Sequence, residues 1–319
     1  MVTGNKPKAT TANAIIWGVT KLLASLCLIG LPTACMFLPI YHETPGDLPD
    51  NAQLALSPDG SRLVVSWNER SGKLHAKLLE LDGKRLASIR DIALPADTFT
   101  TAFAITRQHL LITTTNKKSS DLLKFDLDKS TAELIYKSPH VMRFPLEVSN
   151  GHYVFLEGEN ADNRLSQWQR LQNGSKSLLN PEHYQMASHL NVVGESLFLL
   201  EPRNPPAFRS LSGALPAELS PLVDANTFSI YCADKQPLTC LRRHLYFDPT
   251  YTTMEILNGQ QRCQIAGRWI NGQGLKFSRD GSTVAFHAAI KDFDGPRAIY
   301  IAKNNREDCG AAPLSINNK

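Results

Sequence analysis

The sequence predicts an all-β protein, a six-bladed β-propeller with an N-terminal hydrophobic membrane or signal segment, on three observations. From residue 51 onward, short alternating or wholly apolar runs alternate with turn residues, and almost no run has helical apolar spacing. The first strands of successive units fall near residues 54, 101, 144, 189, 228 and 275, roughly 40 to 47 apart. Units of ~40–50 residues holding four strands each are the signature of a propeller. The same turn, Ser57-Pro58-Asp59-Gly60-Ser61 and Ser278-Arg279-Asp280-Gly281-Ser282, also opens the first and last units.

The first unit is the clearest. Leu54 to Leu56 leads through Ser57-Pro58-Asp59-Gly60 into Leu63-Val64-Val65-Ser66-Trp67. Ser first, Pro pre-setting φ second and Gly fourth specify a type I β-turn, and the flanking β-branched and aromatic residues favour strands. Gly72, a run from Leu74 to Leu81 and Asp82-Gly83 continue the unit. The last unit repeats this register: Leu275-Lys276-Phe277, the Ser278 turn, Thr283 to Phe286, then Asp294-Gly295 and Ala298 to Ile301. Weaker copies lie between. Thr101–Ile105 leads to Leu110–Thr113 and Leu122–Leu127; Phe144–Val148 passes Asn150-Gly151 into Tyr153–Leu156; His189–Val193 passes Gly194-Glu195 into Leu197–Leu200; Phe228–Cys232 opens the fifth. Pro202-Arg203-Asn204-Pro205-Pro206, with Pro216 and Pro221, marks unit four as irregular and predicts a long loop there, because Pro cannot sit in a central strand.

The Ser-Pro-Asp-Gly segment, with its following Asp-Gly and apolar strand, resembles the WD40-like (PD40) repeat of TolB-type six-bladed β-propellers. Residues 52–83 and 273–303 carry the resemblance well, and the four middle units are degenerate. The resemblance implies a six-bladed propeller, usually periplasmic or exported. It brings no catalytic residue, since the shared motif is a turn.

The N-terminal segment is separate. Residues 1–42 form a signal anchor or lipoprotein-type signal segment, 43–51 a linker, and 52–319 the propeller. Lys6, Lys8 and Lys21 precede an uncharged stretch from Leu22 to Ile40, close to the ~20 residues that span a bilayer as a helix. Positive charge before it and Glu43, Asp47 and Asp50 after it orient the body outward. Leu31-Pro32-Thr33-Ala34-Cys35 resembles a lipobox, making Cys35 a lipidation candidate, although Pro32 stands where Leu is usual. A retained anchor, a lipid anchor and a cleaved signal peptide all remain open. The expected location is the periplasmic side of the inner membrane, or a lipid-anchored envelope position.

Export agrees with the cysteines. Cys232, Cys240, Cys263 and Cys309 allow three pairings; Cys232 and Cys240 are close enough to staple a hairpin, leaving Cys263 to reach Cys309. Their spacing lacks the paired pattern of a zinc site.

Composition and motifs exclude much else. The formal net charge is +4, and three of the basic residues precede residue 40, so the body is nearly neutral and lacks the basic field of a nucleic-acid binder. No G-x-S-x-G elbow, Walker loop or H-E-x-x-H helix occurs. Gly272-Gln273-Gly274 is no dinucleotide loop, because Phe277 replaces the third glycine. Asp292-Phe293-Asp294-Gly295 is a fragment of a calcium loop and reads as a turn. No catalytic, cofactor-binding or metal residue is therefore assigned, and no cofactor is expected.

The expected role is a protein-binding or scaffold module in the bacterial envelope, meeting envelope proteins through the propeller faces and the membrane through the N-terminal segment. Two alternatives stay open. A metal-dependent, lactonase-like hydrolase would bring inward carboxylates and Asn together on the axis, with Glu147, Glu157, Asp162 and Asn191 as possible contributors. A sugar-binding propeller would expose aromatics at one funnel, with Trp67, Trp168 and Trp269 as the choices. Arg242-Arg243-His244 reads as a solvated hairpin end, and the dispersed histidines as surface or turn residues.

Overall fold

The computed structural model describes residue 48 and residues 52–69, 71–116, 119–159, 166–179, 190–201, 205–235, 237–245, 251–258, 261–289, 297–304 and 311–313. The leader with Cys35, and Asp162, Pro202 to Asn204, Asp292 to Gly295 and Cys309, lie outside these residues. No helix among the described residues is long and apolar enough to cross a membrane.

The body is a six-bladed propeller of antiparallel strands. Blade 1 comprises β1 (Gln53–Leu56), β2 (Arg62–Asn68), β3 (Leu74–Asp82) and β4 (Arg85–Asp91). Blade 2 comprises β5 (Thr98–Phe103), β6 (His109–Thr114), β7 (Ser120–Asp126) and β8 (Thr131–Ser138). Blade 3 comprises β9 (Val141–Ser149), β10 (His152–Gly158), β11 (Ser166–Gln172) and β12 (Ser175–Leu178). In each, the strands pair in sequence order, as short connections of two to seven residues favour.

Blade 4 has three described strands, β13 (Leu190–Val193), β14 (Ser196–Glu201) and β15 (Ala207–Ser212), followed by a short 3-10 helix, Ala217–Leu222. The proline-rich stretch is thus the irregular one, and Pro221 sits inside that helix. Blade 5 opens with β16 (Thr227–Cys232), β17 (Thr239–Leu245) and β18 (Tyr251–Asn258). Its outer strand is the first part of β19 (Gln261–Phe277), whose last part is the inner strand of blade 6, ahead of β20 (Thr283–Ala289), β21 (Arg297–Lys303) and β22 (Ala311–Pro313).

The sequence predicts separate four-stranded units here. Instead β19 pairs with β18 up to Ile270 and with β20 from Ile270 onward, merging two blades into one seven-stranded sheet. The backbone of residues 261–277 runs on as one strand even though it contains Asn271-Gly272, a pair that favours a hairpin turn. It changes partner through register shifts at Ile270/Gln273 and Gln273/Lys276. Gly272 and Gly274 fall at these shifts, where a strand must bend.

The core is divided by blade interface. One cluster joins blades 6 and 1 (Leu54, Leu63, Leu79 with Ala285, Ile299, Ile301) and another blades 1 and 2 (Val64, Leu78 with Leu110, Ile112). The others join blades 2 and 3 (Leu111, Leu122 with Phe155), 3 and 4 (Leu156, Trp168 with Leu199), 4 and 5 (Phe198, Leu200 with Ile230), and 5 and 6 (Leu241, Ile256 with Phe286). One blade's β-face cannot be buried alone, so each interface shields two faces, at about 1.5–3 kcal/mol per large aliphatic side chain. The ring closes by packing between blade 6 and blade 1, with Leu48 bridging Arg297 on β21.

The repeated turn is built alike at both ends. Ser57 Oγ donates to Asp59 Oδ1 at 2.7 Å and accepts from the Arg62 amide at 2.8 Å. Ser278 Oγ donates to Asp280 Oδ1 at 2.7 Å and accepts from the Thr283 amide at 2.9 Å. Burial opposes ionisation of Asp59, yet hydrogen bonds from Ser57 and Ser61 outweigh it and hold its carboxyl below the usual range. The two turns also touch: the Asp280 amide donates to the Pro58 carbonyl at 3.0 Å.

Candidate functional site

The inner strands β1, β5, β9, β13, β16 and the end of β19 surround a central channel of about 620 Å³. Their side chains are mostly apolar or small: Ala55 and Leu56, Ala102 to Ala104, Pro145 and Leu146, Leu190 and Val192, Ile230, Leu275 and Phe277. All six blades contribute, which no local sequence window could show.

The two ends differ. At the strand-end face, the Arg279 guanidinium donates to Asp234 Oδ2 at 2.6 and 3.1 Å. It also donates to the backbone carbonyls of Glu147 (3.2 Å) and Val148 (2.8 Å). Blade 3 stands three places round the ring from blade 6, so this side chain crosses the axis and bars that end. Asp234 Oδ1 in turn accepts the Gly194 amide of blade 4 at 2.8 Å, and the Asp234 amide donates to the Arg279 carbonyl at 2.9 Å.

The strand-start end is open and aromatic. Phe144 and Phe228 both line the channel there, with 44% and 47% of their surface exposed. Phe144 has φ +49°, the left-handed region, at a register shift of β9, and its amide donates to Thr100 Oγ1. The Arg243 guanidinium lies 5.0 Å from the centre of the Phe228 ring, and its Nε is buried without a hydrogen-bond partner. Burial lowers the pKa of Arg243.

Lys276 lies deeper, on β19 two residues before the Ser278 turn, and lines the same channel. It makes no hydrogen bond or ion pair with the described residues. Burial pushes its pKa down.

The other sequence-selected residues are dispersed. Glu147 is buried on β9, where it accepts the Ile105 amide at 3.0 Å and the Gly151 amide at 3.3 Å and faces the Lys124 amine at 3.5 Å. Glu157 on β10 accepts from Ser138 Oγ and from Lys176, 2.7 Å away. Asn191 ties blade 4 to blade 5 through the Ile230 carbonyl and the Cys232 amide. Each is spent on a separate structural contact, and the described residues hold no group of three or more His, Cys, Asp or Glu placed for a metal. Trp67 stacks on His75 at 5.3 Å, and Trp168 is buried in the interface of blades 3 and 4. The side chain of Trp269 lies outside the described residues.

Two expectations need correction. Arg242-Arg243-His244 is no solvated hairpin end but the middle of β17: Arg242 is 3% exposed and paired with Glu255 and Asp224, and His244 Nε2 is 2.7 Å from Glu255. The acids that neutralise it come from β18 and the loop before β16, too far along the chain to be matched by spacing. His287 is likewise buried against Arg297, and not on the surface.

The cysteine expectation holds for one pair. Cys232 and Cys240 face each other at the start of the β16–β17 hairpin and form a disulfide. Cys263 on β19 is also disulfide-bonded.

No family model and no curated protein matches the chain. Solved structures do. TolB from Acinetobacter baumannii superposes with a TM-score of 0.51 at 12% identity, over 82% of this chain and 65% of that one. Acylaminoacyl peptidase from Pyrococcus horikoshii gives a TM-score of 0.50 at 10% identity, over 84% of this chain and 45% of that one. This chain therefore spans less than two thirds of either protein. At such identities the similarity concerns the propeller fold alone.

Proposed function

We propose that the chain is a non-catalytic binding module, an exported and membrane-tethered propeller of the WD40-like repeat kind that receives a segment of a bacterial envelope protein in its channel. The observation that carries this reading is the pair Phe144 and Phe228, large apolar side chains left exposed at the open end of an apolar-lined channel. Exposed aromatics around a concave apolar site favour docking, because burying them on a partner removes apolar area from water. The carboxylates nearest the axis are already engaged in holding blades together, which favours binding over chemistry. The leader supports tethering by its charge pattern and length.

The test is affinity capture of the membrane-solubilised full chain, with intact mass measured on the same sample. An envelope protein should co-purify with the wild type and be lost from a Phe144→Ser/Phe228→Ser variant of unchanged melting temperature. Recovery of a lone monomer from both would sink the reading. The mass separates retained, lipidated and cleaved leaders.

A further inference from the structure

We propose that the channel captures the free C-terminal carboxylate of the partner segment, with the Lys276 ammonium as its counter-charge. This deepens the function proposed above and rests on it. A channel barred by Arg279 at one end admits a chain terminus from the other, whereas a segment running through would need an exit.

The charges select which terminus. Lys276 faces the cavity and makes no hydrogen bond or ion pair with the described residues; Ala55, Ala102 and Tyr231 line the same channel. The two acids that line the channel cannot serve Lys276, because Glu147 is held by two amides and Lys124, and Asp234 by Gly194 and Arg279. Arg243, stacked on Phe228, is a second cation with an unpaired Nε. An unpaired cation in an apolar cavity is costly until an anion meets it, and the same low polarity strengthens the pair once formed. An amino terminus would add a third positive charge and be repelled.

Depth fixes the length. The Ala233 and Ser278 amides make the same bond across their hairpins, to the carbonyls of Thr239 and Thr283. Lys276 is therefore level with Tyr231, three residues below Phe228, or about 10 Å at ~3.3 Å per residue. A tail of about three extended residues reaches from mouth to amine, its apolar side chains against the channel wall.

Two pools of random pentapeptides, one with free C-terminal carboxylates and one amidated, would be offered to the immobilised full chain and the bound fraction read by mass spectrometry. The wild type should enrich acids over amides by about tenfold or more. Lys276→Met should abolish that preference, and Lys276→Arg should keep it. Melting temperatures would establish that both variants fold. Equal retention of acids and amides overturns the proposal while leaving channel binding intact. A preference that survives in Lys276→Met overturns the role of Lys276. Retention of neither pool overturns both readings.

Discussion

Arg279 and Glu147 meet across the axis of the ring: the Arg279 guanidinium donates to the Glu147 carbonyl at 3.2 Å, although 132 residues separate them. In the first copy of the turn, Pro58 occupies the position Arg279 holds in the last. The turn leaves that side chain outside its own hydrogen bonds, so the position is free to take a latch that joins blades 3, 5 and 6.

Removing the latch should therefore loosen the ring without unfolding a blade. Arg279→Ala is expected to cost about 1.5–3 kcal/mol, the range for hydrogen bonds made by a charged group. Urea denaturation measures it. Arg279→Lys should recover only part, since one ammonium cannot reach Asp234 and two carbonyls with the geometry of a fork. An unchanged midpoint for Arg279→Ala would show that the crossing contributes nothing.

Gly60 is held at φ +65°, and a Cβ placed there would lie 2.1 Å from Thr283 Oγ1 of blade 6. Gly60→Ala should cost at least about 2 kcal/mol, from the left-handed backbone and from overpacking. Adding Thr283→Gly should return part of that loss, because it removes both Oγ1 and the Cβ that would lie 2.4 Å away, but not the strained φ. A double-mutant cycle on thermal melts reads the coupling.

The pair Arg242–Glu255 predicts a pH dependence. Burial would raise the Glu255 pKa, but hydrogen bonds from His244 and Arg242 outweigh it and hold it below 4.5. Asp224 is similarly held below 3.8, hydrogen bonds from Thr227 and Asn226 and the Arg242 charge outweighing burial. Groups depressed in the folded state stabilise it above their unfolded pKa and lose that contribution as pH falls through the folded one. The urea midpoint should fall as pH drops below about 4.5, and Glu255→Gln should flatten that acid limb. At neutral pH this variant should cost about 2–3 kcal/mol, less than stranding a buried ion outright, because Arg242 keeps Asp224 and the Leu222 carbonyl.

The Cys232–Cys240 disulfide closes a loop with a sequence separation of 8. Loop-closure entropy then gives about 2.5 kcal/mol to the folded state. The Cys232→Ser/Cys240→Ser variant should lose close to that amount in guanidinium titrations under non-reducing conditions. A loss near zero would mean that the hairpin is already ordered in the unfolded chain.

What was legible in the sequence follows from locality. The Ser57 and Ser278 turns, the strands they join and the Cys232–Cys240 staple are set by residues within about ten positions of one another, and the structure keeps them. The continuous β19 was not legible, since Asn271-Gly272 reads locally as a turn, whereas the strand runs on and its partner switch at Ile270 depends on which strand lies on either side. The basic triplet on β17 misled for the same reason, its acids lying 13 and 18 residues away from Arg242.

By itself the sequence determined the all-β character, the six-fold repeat and the hairpin chemistry, because periodicity and turn geometry act over a few residues. Only the tertiary structure decided that Arg279 bars the channel, that Phe144 and Phe228 flank its mouth and that Lys276 stands inside it with no acid partner among the described residues. These belong to β9, β16, and β19 with the turn that follows it, on different blades, and side chains so far apart in sequence meet only when the ring has closed.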